Sequence, residues 1–259
     1  MENVLLPPVK YGRHTHSPSD ASLKDLPFGS SVSRELISWL GKLPSDTRKT
    51  EAYVAAQWRE MSWSAFNVYV SDLITDAESE IGMSGHSYRV SHLALRCGVA
   101  LGLQPLALSE LYWGGALHDL GKLAMDQSIL SKPSALSSYE WQLVRQHPVW
   151  GYEALMRVLN NRVVAEIALT HHEHWNGAGY PSGLSGEAIP LHGRIVAVVD
   201  TFDALTSPRA YKQAVRVDMA LKILEDEAGR QFDPALIRRF LDGDTLQLRD
   251  PGTDYPDVG

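Results

Sequence analysis

From Gly82 onward apolar residues recur at helical spacing in segment after segment, and no convincing period-two run interrupts them. Such a chain has to pack helices on helices, so the expected class is all-α. Residues 86–101 carry Val90, Leu93, Ala94 and Cys97 on one face, with Gly102 as a stop. Residues 106–117 form the next predicted helix. Ser137-Ser-Tyr-Glu140 matches a capping box opening another, in which Pro148 predicts a break or kink just after His147. Further helices are expected over residues 162–174, 190–205, 217–227 and 234–241, with a Gly-rich loop at 176–184.

These helices are interrupted at five separated places by side chains that do not belong in an apolar core. The interruptions are His86, the pair His118-Asp119, His147, the pair His171-His172, and Asp200. Each alone reads as a capped or solvated polar residue. Together they favour one shared buried site, because an unpaired carboxylate such as Asp200 inside an apolar helix is costly. Seven imidazole and carboxylate ligands without sulfur suit Fe, Mn, Zn or Ni in a hydrolytic centre. The Leu-Gly-Lys after Asp119 lets the chain turn and brings Lys122 to the same place. Asp203 lies one turn beyond Asp200 on the same face.

Composition sets outer limits. A formal charge of −7 argues against coating a nucleic-acid polymer, while leaving room for a small phosphorylated ligand held by a few cations. The single cysteine, Cys97, excludes an intramolecular disulfide, fits a reducing cytoplasm, and reads as a small buried apolar residue. The first twenty residues lack a basic stretch followed by an apolar one, so no export signal is expected. No apolar run approaches twenty residues, so no membrane helix is expected either. The expected location is cytoplasmic.

Three regions are expected: residues 1–80, an arm plus a small helical region of unassigned role; 81–243, the helical domain bearing the ligands; and 244–259, a loose polar tail. His14 and His16 read as part of a flexible arm rather than as a metal pair. Trp58 and Trp63 leave a homodimer open.

The motifs resemble the HD-GYP subgroup of the HD phosphohydrolase superfamily. The matching stretches are His86-Ser-Tyr-Arg-Val90, His118-Asp-Leu-Gly-Lys122, Ile129-Leu-Ser-Lys-Pro133 and His147-Pro-Val-Trp-Gly151. They continue with His171-His-Glu-His-Trp-Asn-Gly-Ala-Gly-Tyr-Pro181, Arg194-Ile-Val-Ala-Val-Val-Asp200, Phe202-Asp-Ala-Leu205 and Phe232-Asp-Pro234. The resemblance covers roughly residues 82–242. It implies a multi-helix HD-type bundle in which His86, His118, Asp119, His147, His171, His172 and Asp200 bind metal. It further implies hydrolysis of cyclic di-GMP to linear pGpG or onward to GMP by a metal-bridged hydroxide. By position, Lys122, Tyr180, Arg209 and Lys212 match the family's substrate contacts.

Several roles stay open at this level. Tyr180 is expected to stack on a guanine or to bond a phosphate, with packing of the Gly-rich loop as the plainer alternative. Arg209 offers a planar fork for the second phosphate. Lys122 is expected to neutralise charge on the phosphoryl oxygens. Asp203 is expected to orient Lys122 or a water, to protonate the leaving oxygen, or to support the metal shell. Members of the subgroup with three metals carry a Glu where this chain has Gly82, so two divalent ions are expected, Fe or Mn ahead of Ni or Zn. Asn176 stands where Asp is commoner, a tuning change. Competing readings are another cyclic dinucleotide such as cyclic GMP-AMP, or a non-catalytic binding module, with a GGDEF-type cyclase docked at the GYP loop as a further partner option.

Overall fold

The computed structural model describes residues 85–159, 161–208 and 213–242. The expectations for residues 1–80 and 244–259, for Gly82, and for Arg209 and Lys212 lie outside the described residues. Helix α1 spans His86–Ala100 and α2 Pro105–Leu117, with Gly102 at φ 70° turning the chain between them. A 3-10 turn, Leu120–Ala124, leads to the short α3, Gln127–Leu130. Helices α4, Ser138–Val144, and α5, His147–Val158, follow, then α6, Arg162–Thr170. After the Gly-rich loop come α7, Leu191–Thr206, α8, Val217–Asp226, and α9, Pro234–Leu241. Among the described residues, β pairing is confined to isolated bridges at Asn176–Ser185 and Ala228–Phe232.

Helix α7 is apolar on most of its circumference, as a helix surrounded by others has to be. Its Ile195, Val196, Val198, Val199 and Phe202 are buried against α1, α2, α6, α8 and α9. Val90 and Ala94 of α1, Leu111 of α2 and Ile167 of α6 complete that core, with Phe240 of α9 closing it edge-on against Phe202. At about 1.5–3 kcal/mol per fully buried large apolar side chain, this cluster is the main source of stability. A second cluster of Leu117, Leu155, Val164, Ala165 and Ala168 joins the end of α2 to α5 and α6. The bundle closes tightly where α1 meets α2: a Cβ on Gly115 would sit 2.9 Å from the Ser91 Cα. No helix among the described residues is long and apolar enough to cross a membrane.

Two expectations are corrected. The break expected at Pro148 is present but falls before His147 rather than after it: Pro148 occupies the first turn of α5, where its missing N–H costs nothing, and α4 and α5 are separate helices. Helix α6 stops at Thr170 rather than at residue 174, leaving His171 as its C-cap. The predicted capping box is present, with Ser137 and Glu140 bonded reciprocally.

Candidate metal centre

The adjacent ligand pairs fall at helix ends, where neighbouring side chains can reach one point. His118 is the C-cap of α2, His171 the C-cap of α6, and His147 the first residue of α5 directly after α4. The last carbonyls of a helix lack intrahelical partners, and here the imidazoles supply them. His118 Nδ1 donates to Gly115 O at 2.8 Å, His147 Nδ1 to Val144 O at 2.7 Å, and His171 Nδ1 to Ala168 O at 2.8 Å. The carbonyl can only accept, so each Nδ1 carries the proton and each Nε2 lone pair faces inward. His86 is oriented differently: its Nδ1 donates to Asp203 Oδ2 at 2.7 Å.

Asp119 lies between these rings. Its Oδ1 is 3.3 Å from His147 Nε2 and 3.7 Å from His171 Nε2. Its Oδ2 is 3.4 Å from His118 Nε2 and 3.9 Å from His86 Nε2. One carboxylate thus addresses two ligand groups, Asp119 with His147, His171 and His172, and Asp119 with His86 and His118. Asp200 Oδ1 adds to the second, 3.2 Å from His86 Nε2 and 3.8 Å from His118 Nε2. Lys122 Nζ, carried round by the 3-10 turn, donates to Asp119 Oδ2.

A metal fits this set. His86 Nε2, His118 Nε2 and Asp119 Oδ1 are buried and have no hydrogen-bond partner. His147 Nε2 and His171 Nε2 face each other at 3.3 Å, two lone pairs that repel unless a cation lies near. Leaving such groups unpaired costs about 1–3 kcal/mol each, and divalent ions remove that cost. Charges follow the geometry. Burial, helped by His118 and His147, holds His171 down at about 4, neutral and ready to ligate. Burial would also depress His86, but the carboxylates of Asp200 and Asp203 overcome it and lift the imidazole to about 9, so without a metal its Nε2 holds a proton that a bound ion would displace. Asp119 stays well below the usual carboxylate range: burial opposes this, and Lys122 and His118 outweigh it.

The expected ligands are therefore brought together, all seven of them. Asp203 and Tyr180 take up positions that match alternatives left open above, support of the ligand shell and packing of the Gly-rich loop. Asp203 bonds His86 and also accepts from Arg89 Nε at 2.6 Å, whereas Lys122 pairs with Asp119. Tyr180 is stacked on His172, with centroids 4.8 Å apart and planes at 26°, and the Arg145 guanidinium lies over the ring at 4.8 Å. The ring is thus engaged by two protein groups, with its hydroxyl the polar atom left to meet a ligand. Asn176 Oδ1 accepts from Ala178 N, a turn bond inside the loop.

Sequence reasoning missed Glu173. This buried carboxylate accepts from Ser182 N at 2.7 Å and Leu184 N at 3.0 Å, tying the far side of the loop back to the residue after His172. Burial pushes its carboxyl up against those bonds. The signal was a charged residue directly following two ligands. Gly121 was likewise undervalued: a Cβ there would run into the His147 carbonyl, so only glycine lets the turn pass α5.

A helical bundle that converges histidines and aspartates from five elements on one centre defines a metal-binding α-helical domain. The HD domain family model matches residues 69–236. The chain belongs to the HD domain family. It is 45% identical over 164 residues to the cyclic di-GMP phosphodiesterase response regulator RpfG of Xanthomonas campestris pv. campestris, covering 62% of this chain and 43% of that protein. It is 38% identical over 159 residues to a cyclic di-GMP phosphodiesterase of Thermotoga maritima, covering 60% and 43%. It is 40% identical over 158 residues to 3'3'-cGAMP-specific phosphodiesterase 2 of Vibrio cholerae, covering 59% and 30%. The chain thus spans less than half the length of these relatives. An HDG"Y"P protein from Bdellovibrio bacteriovorus shares the fold at a TM-score of 0.52 and 20% identity, over 85% of this chain and 74% of that one.

Proposed function

We propose that this domain is a phosphodiesterase that opens cyclic di-GMP to linear pGpG, on a dinuclear site of Fe or Mn. The observation that carries it is Asp119, whose two oxygens face two separate ligand groups, with Lys122 bonded to one of them. When bound, the divalent ions supply Lewis acidity toward the phosphoryl oxygens and lower the pKa of a water. Asp119 joins the two groups and holds their spacing. Lys122 stands beside Asp119, where it can neutralise charge developing on a phosphoryl oxygen. Four imidazoles with fixed tautomers keep the ligand atoms preorganised, so little reorganisation is needed as the substrate arrives. Asp203 orients His86 rather than touching substrate, and Tyr180 meets substrate through its hydroxyl edge.

The identity to the relatives from Xanthomonas and Thermotoga supports cyclic di-GMP. The cyclic GMP-AMP reading has its own support, since the Vibrio relative at 40% identity is named for that substrate. The test is product chromatography with anaerobically purified protein loaded with Mn or Fe. Cyclic di-GMP should be consumed to pGpG, and Asp119→Ala should slow this by more than about a hundredfold with loss of bound metal. Intact cyclic di-GMP, or an Asp119→Ala variant as active as wild type, would refute the reading. A panel containing cyclic GMP-AMP ranks the two substrates.

A further inference from the structure

Tyr180 is stacked on His172 and also carries the Arg145 guanidinium over its ring, so much of the aromatic surface that could take a guanine is already engaged by the protein. A purine held near this centre needs its platform elsewhere. Helix α4 offers one. Trp141 is 51% exposed, and Arg145, the C-cap residue of the same helix, lies four positions on, the spacing that puts two side chains on one helical face.

Arg145 has the chemistry to read a base. It is exposed, and among the described residues no carboxylate forms an ion pair with it. Glu140, the acidic residue of α4, is already engaged: it accepts from Lys132 Nζ at 2.7 Å through both oxygens and from Ser137 N at 2.6 Å. Among the described residues the Arg145 guanidinium, held over the Tyr180 ring, donates to no protein acceptor, so its N–H fork is open to a ligand. Such a fork matches O6 and N7 of guanine, and meets a mismatched donor at N6 of adenine. The platform is also held in place. The capping box and Lys132 fix the start of α4, and its end passes directly into His147.

We propose that Trp141 and Arg145 on the outer face of α4 form a guanine-recognition subsite, the indole stacking the purine and the Arg145 fork reading its O6 and N7 edge. This rests on the cyclic dinucleotide reading above, and it makes Arg145 a specificity residue. One base of the substrate lies outside the metal centre, against α4.

The test uses the metal-loaded chain with Arg145→Ala, Arg145→Lys and Trp141→Ala. KM and kcat are measured for cyclic di-GMP, together with the inhibition constant of cyclic di-AMP as a competitor. Arg145→Ala should raise KM for cyclic di-GMP about tenfold or more relative to any change in the cyclic di-AMP constant, so that guanine preference collapses. Arg145→Lys should fail to restore the preference, because an ammonium has no fork. Trp141→Ala should weaken both ligands in parallel, about tenfold, since every purine has a face to stack. An unchanged guanine-to-adenine ratio in Arg145→Ala overturns the subsite, as does an equal loss on both ligands, which would make Arg145 merely a prop for Tyr180. If the wild-type chain turns over no cyclic dinucleotide, the proposed function fails instead. Calorimetric binding of cyclic di-GMP and cyclic di-AMP to the same variants then decides the subsite by the same ratio.

Discussion

His86 Nδ1 donates to Asp203 Oδ2 across 117 residues of sequence, at 2.7 Å. The bond joins the first turn of α1 to α7 and fixes which nitrogen of His86 faces the metals. Asp203→Asn keeps the shape and removes the charge. Metal affinity should fall about 10–100-fold, the usual effect of losing a carboxylate behind a ligating imidazole. Competition against a chelator, followed by absorbance, measures it; wild-type affinity would show that Asp203 does not orient His86.

Gly121→Ala tests the passage of the 3-10 turn over α5. The added methyl meets the His147 carbonyl, and neither backbone can retreat without moving a ligand. Stability should drop by roughly 3 kcal/mol, at the upper end for overpacking, and the metal content of the purified protein should fall with it. Urea denaturation reads the first and elemental analysis the second.

Glu173→Ala removes the acceptor shared by Ser182 N and Leu184 N. The loss of each bond should cost about 1 kcal/mol locally, because both donors lose their buried carboxylate acceptor. Amide hydrogen exchange should accelerate across residues 177–184 while helices α6 and α7 keep their protection. Unchanged exchange there would mean that the loop is held by other contacts.

Cys97 is buried among Val90, Ala94 and Leu111, and that burial pushes its thiol up to about 12 from an ordinary 9.0. The folded protein therefore keeps the neutral form, and the thiol should resist Ellman's reagent at pH 8 until denaturant is added. The sign for stability follows. Below pH 9 the thiol is protonated in both states and contributes nothing to the pH dependence. As pH rises from 9 toward 12 the unfolded chain ionises first, so stability is lost. Cys97→Ala should flatten the alkaline limb of a stability–pH curve.

Helix positions and the ligand series were legible because each leaves a local trace. Apolar spacing announced α1, α2, α7, α8 and α9, and a histidine or aspartate inside an apolar run stands out without any knowledge of the fold. Pairings that cross the chain left no such trace. Arg89 looks like an ordinary surface residue of α1 until α7 brings Asp203 to it. Arg145 looks like a helix-end cation until the Gly-rich loop folds Tyr180 beneath it. Tyr180 is alike in this: the sequence displays an aromatic ring, and only tertiary structure shows it stacked on His172 with Arg145 over it. The end of α6 lies earlier than the pattern predicts because His171 and His172 are compatible with a helix, while the His171 ring satisfies the Ala168 carbonyl from outside.

Three of the inward-facing imidazoles have their tautomer set by a carbonyl three residues earlier, so those ligands carry their own alignment wherever their helix ends go. His86 does not. Its alignment exists only once α1 has been laid against α7, which makes the ligand group containing His86 a reporter of assembly. A chain in which α1 is undocked should still load the group formed by Asp119, His147, His171 and His172, and the number of ions retained after gel filtration then counts the fraction of molecules whose bundle has closed.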